Sequence, residues 1–71
     1  MKELEVQTTN RPSVIVRLSG IAPDAPLTPK LARRAARIAY GVAANCTVVD
    51  EDIAYRVTGH GVNVRRVGVW Q

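Results

Sequence analysis

At 71 residues the chain has room for one small domain, near the lower limit of what folds without disulfides, metals or a partner. Its apolar content is ordinary for a globular protein, which argues against disorder, and its formal charge of +4 comes from eight Arg and two Lys against six acids. One Cys and one His exclude a disulfide framework and an ordinary zinc site, and the longest uncharged run, Ile38 to Val49, is too short to cross a bilayer.

The opening residues, MKELEVQ, put acids where a signal peptide needs an apolar run. With the lone Cys46, this makes a soluble, cytoplasmic protein the expectation. Next, Leu4 to Thr8 and Val14 to Leu18 alternate, the second around its odd member Ile15, and Thr9 to Ser13 between them carries turn chemistry. These are expected to form a hairpin with one face towards a helix. Gly20 to Leu27, with two prolines, is a loop that repositions the chain.

The segment from Thr28 to Ala44 is the strongest local signal. Thr28 is an N-cap and Pro29 a first helical residue, while Gly41 or Asn45 ends the helix. At 100° per residue, Leu31, Ala35, Ile38, Ala39 and Val42 form an apolar face. Lys30, Arg33, Arg34 and Arg37 lie opposite, with Tyr40 at the edge of the basic stripe and available for stacking.

Cys46 to Val49 then reads as a short strand, followed by an acidic turn or bulge at Asp50-Glu51-Asp52 that could itself meet an arginine. In the final hairpin, Ile53, Tyr55 and Val57 alternate, as do Val62 and Val64, around Gly59-His60-Gly61. A two-residue turn at His60-Gly61 pairs Val57 with Val64 inside and Arg56 with Arg65 outside. Beyond Val64 the alternation breaks. A β-bulge at Arg65-Arg66 would restore it, setting Val67 opposite Tyr55 and Val69 opposite Ile53, and would push Arg56, Arg65 and Arg66 out together. Trp70 is read as a core plug closing the sheet, with an exposed anchor for a partner as the alternative. Counted as two hairpins around the helix, the fold is α+β, a two-layer ββαββ with one amphipathic helix on a four-stranded antiparallel sheet.

Chemistry is sparse. Cys46 reads as a small buried hydrophobe and His60 as a turn residue; a Cys–His pair lacks any supporting signature. No phosphate-cradling glycine loop, metal constellation or paired acid–base set is present, so neither an enzyme nor a cofactor is expected. The basic stripe is the sharpest feature. Lys30 with Arg34, and Arg33 with Arg37, are like-charge pairs four residues apart, each costing an isolated helix about 0.2–0.5 kcal/mol. They also crowd the positive end of the helix dipole. A solvated surface in an Arg-rich proteome is the plain explanation. An anionic counterpart outside the molecule is the functional one.

The expectation is therefore a non-enzymatic binding module that engages a nucleic-acid phosphate backbone or an acidic protein surface. It would do so through Lys30, Arg33, Arg34, Arg37, Tyr40, Arg56, Arg65 and Arg66. With no Phe and few other aromatics, the core is built from small side chains, and burial of further surface in a homodimer, through an edge strand, fits the size. In organisation (short strands, one helix, a terminal hairpin ending in an aromatic) the chain resembles several small phage-encoded inhibitors, including some anti-CRISPR proteins, with no shared residue motif. That resemblance implies a protein-interaction inhibitor docking on a larger nucleic-acid-handling complex.

Overall fold

Two strands, β1 (Lys2–Thr8) and β2 (Arg11–Leu18), precede one helix, α1 (Pro29–Tyr40); β3 (Cys46–Asp50), β4 (Ile53–Thr58) and β5 (Asn63–Val67) follow it. The structure is a computed structural model that describes residues 1–9, 11–41, 45–51, 53–59 and 61–67. The strands form one sheet in the order β2-β1-β3-β4-β5, and every neighbouring pair is antiparallel. The α+β class is as expected, but the four-stranded ββαββ order is corrected to five strands, ββαβββ. The short stretch after the helix is a full strand. Lengthened by Asp50, it fills the middle of the sheet and joins the N-terminal hairpin to the C-terminal one.

This topology explains the layer. β2 and β3 both flank β1 antiparallel to it, so they run parallel to each other. A connection between parallel strands must cross over one face, and α1 makes that crossing. The helix starts where Thr28 Oγ1 accepts from the Leu31 N–H at 3.3 Å, with Pro29 just inside. It ends at Gly41, whose φ of 81° and ψ of −164° lie in a region that side chains with a Cβ rarely occupy.

The helix face differs from the expected one. Ala32, Ala35 and Ala36 are fully buried, Leu31, Ala39 and Tyr40 flank them, and Ile38 is 58% exposed. Methyl side chains let the helix sit close over the sheet; an Ile in that row would hold the layers apart. Closeness of packing therefore outweighs side-chain hydrophobicity in setting the helix rotation. Beneath these alanines lie Leu4, Val6, Val16, Leu18, Cys46, Val48 and Val57.

In the last hairpin Val57 pairs with Val64 and Arg56 with Arg65, the expected register, and the Val62 N–H donates to the Gly59 carbonyl across the turn. The bulge is absent. Pairing continues unbroken to Tyr55–Arg66 and Ala54–Val67. No repair is needed because Val67 has apolar company on the sheet face away from the helix, where Ala54 is buried between it and Val49. The expectations for Val42, Asp52, His60, Val69 and Trp70 fall outside the described residues. No helix among the described residues is long and apolar enough to cross a membrane.

Candidate functional site

The helix carries Lys30, Arg33, Arg34 and Arg37 on the side away from the sheet, all four exposed. Among the described residues the salt bridges are Lys2–Asp50 at 2.8 Å and Arg17–Glu3 at 3.1 Å, and neither involves a helix cation. Arg33 makes a long hydrogen bond, 3.4 Å, to the Val62 carbonyl at the tip of the last hairpin. That contact lays the start of the stripe against the β5 side without neutralising it. Ile38 lies beside Arg34 and Arg37 on the same outer surface, an apolar spot at the margin of the charge.

Tyr40 is not an unengaged stacking surface. Its hydroxyl donates to the Pro12 carbonyl at 3.2 Å, and the Arg11 guanidinium lies 5.8 Å from its ring centre. The residue pins the end of α1 to the start of β2 and brings Arg11 to the helix side of the molecule. Arg11 was hidden in the sequence inside a stretch that reads as turn. Only the contact with Tyr40 attaches it to the basic surface.

The second set of arginines is divided. Without the bulge, strand alternation sends Arg56 and Arg65 to the open face and Arg66 to the helix side, with Tyr55 and Val64. Arg66 thus shares the stripe's side of the sheet, while Arg56 and Arg65 lie across it. Those two face each other directly on neighbouring strands. Next to them the open face carries a hollow of about 310 Å³ lined by Gln7, Thr8, Thr9, Asn45, Cys46, Thr47, Arg56 and Thr58.

The acids gather elsewhere. Glu3, Glu5, Asp50 and Glu51 line a second hollow at the opposite end of the sheet. Asp50, expected in an acidic turn, instead closes β3 and meets the buried Lys2, which also donates to the Pro23 carbonyl at 3.2 Å. Glu51 follows it in the turn with φ of 54°. Cys46 is buried, and burial pushes its thiol above the ordinary range, so little thiolate is present near neutrality. Compared with known proteins, the chain matches no family model, no curated protein and no solved structure.

Proposed function

We propose that the chain is a small non-enzymatic binding module whose basic helix face engages the phosphate backbone of nucleic acid. One observation carries this reading: Lys30, Arg33, Arg34 and Arg37 stand exposed in one row with no carboxylate bridging them among the described residues. Folding gains nothing from that arrangement, since each like-charge pair repels. A phosphate chain relieves the repulsion and releases its own counterions in doing so. From Lys30 to Arg37 the stripe runs along about 10 Å of helix, a length over which a duplex presents several phosphates. Backbone contacts of this kind position a protein without reading sequence.

Titration of labelled DNA and RNA at rising salt tests the proposal. If all four cations meet phosphates, log K against log salt on duplex DNA falls with a slope of about −3 to −4. Arg33→Glu/Arg37→Glu should abolish binding at moderate salt. Absence of binding at low salt would remove nucleic acid as the partner. The same stripe would then be tested against an acidic protein surface, including that of a nucleic-acid-handling complex on which the chain would act as an inhibitor.

A further inference from the structure

Arg56 and Arg65 form a cross-strand pair on the open sheet face, and like charges directly opposite each other weaken a sheet. Among the described residues neither is in a salt bridge; Glu3 and Glu51 lie towards the other end of that face, while Glu5 accepts from the Gln7 side-chain amide at 3.2 Å at the margin of the hollow. Beside Arg56 lies the hollow of about 310 Å³, whose lining among the described residues is rich in neutral hydrogen-bonding groups, four threonines, one glutamine and one asparagine, and holds no carboxylate. Arg56 is the one charged residue lining it among the described residues.

We propose that this hollow is an oxyanion site that takes a phosphate group, held on the side away from Glu5 by the Arg56 guanidinium, with Arg65 alongside, and by the hydroxyl donors of Thr47 and Thr58. A phosphate offers several acceptor oxygens pointing in different directions, which suits donors arriving from two neighbouring strands, β3 and β4. The Thr8 hydroxyl is already committed to the Asn45 carbonyl at 2.8 Å and holds the rim in place. Ligand pockets begin at about 300 Å³, so there is space for a sugar attached to the phosphate. The site lies across the sheet from the helix stripe and uses none of its residues, so it stands or falls separately from the proposed function.

Amide chemical shifts of the ¹⁵N-labelled chain, at ionic strength fixed with chloride, test this with three probes: inorganic phosphate, a nucleoside monophosphate and a short oligothymidylate. The expected result is saturable shifts at Thr47, Arg56 and Thr58. Binding should weaken about tenfold in Arg56→Gln, the loss of one charge-assisted contact, and persist in Arg33→Gln/Arg37→Gln. Tighter binding of the oligonucleotide than of the monophosphate assigns the phosphate to a strand, and the reverse assigns it to a small molecule. Shifts that fail to saturate with any probe, or that survive Arg56→Gln undiminished, overturn the site.

Discussion

The N-terminal half of the sheet and the surfaces opposite it handle charge in contrary ways. On β1 and β2, Lys2 meets Asp50 and Arg17 meets Glu3. On α1 and across β4–β5, like charges face one another with no acid bridging them among the described residues. The first arrangement belongs to stability, because Lys2 and Arg17 each have a carboxylate partner from the same chain. The second opposes stability, and an external anion is the simplest thing that would balance it. Substitutions should therefore have opposite signs in the two regions: losses where charges are paired, gains where they are not.

Breaking the paired region should have the largest effect. Lys2 is 3% exposed and bridges Asp50 while also holding the Pro23 carbonyl. Lys2→Met keeps the bulk but strands a half-buried carboxylate, and should cost about 2–3 kcal/mol in urea unfolding. Replacing both partners, Lys2→Met with Asp50→Val, should recover much of that loss, since no unpaired charge is left behind. A single Lys2→Met variant as stable as the parent would show that the ion pair does not anchor the Pro23 loop.

That ion pair also marks the limit of what the sequence displays. Local chemistry was legible: Thr28-Pro29 starts the helix, Gly41 ends it, and Gly59 with Gly61 fixes the register of Val57 on Val64. Thr28 and the glycines act on their immediate neighbours, so their effect can be read without the fold. Pairing of β1 with β3 joins segments about 40 residues apart, with the helix between them, and nothing in Cys46-Thr47-Val48-Val49 announces a central strand. Lys2 is buried only because that pairing delivers Asp50 to it. The rotation of α1 departs from the hydrophobic pattern for a related reason: Ile38 is the more hydrophobic residue, but Ala32 and Ala36 permit the closer approach. On the candidate site, the outward stripe was legible, whereas the engagement of Tyr40 and the separation of Arg66 from Arg56 and Arg65 depend on tertiary contacts and on the unbulged strand.

In the unpaired regions, substitution should stabilise. Lys30 lies in the first turn of α1, where the dipole favours an acid, and it repels Arg34 one turn on. Lys30→Glu reverses both effects and should raise unfolding free energy by about 1 kcal/mol while weakening nucleic-acid binding. Arg65→Glu turns the cross-strand repulsion with Arg56 into attraction, worth about 0.5–1 kcal/mol, and should weaken phosphate binding in the hollow. Thermal unfolding of the two variants separates the readings. If both lower stability, these cations support the fold, and the contrast between the regions fails.

The smallest effect is expected from Arg17→Ala, and its size is informative because of where Glu3 sits. Lys2 and Glu3 are adjacent on β1, so strand alternation turns one under the helix layer and the other onto the open face. Both form salt bridges of similar length, yet Lys2 is buried, whereas Arg17 and Glu3 are 68% and 58% exposed. Water screens the exposed pair, and ordering two long side chains offsets most of its attraction. Arg17→Ala should therefore change stability by less than about 0.5 kcal/mol, and added salt should shrink that difference further. A loss above about 1 kcal/mol would mean that the Arg17 stem packs on the sheet and contributes through apolar contact, because a solvated ion pair alone does not carry that weight.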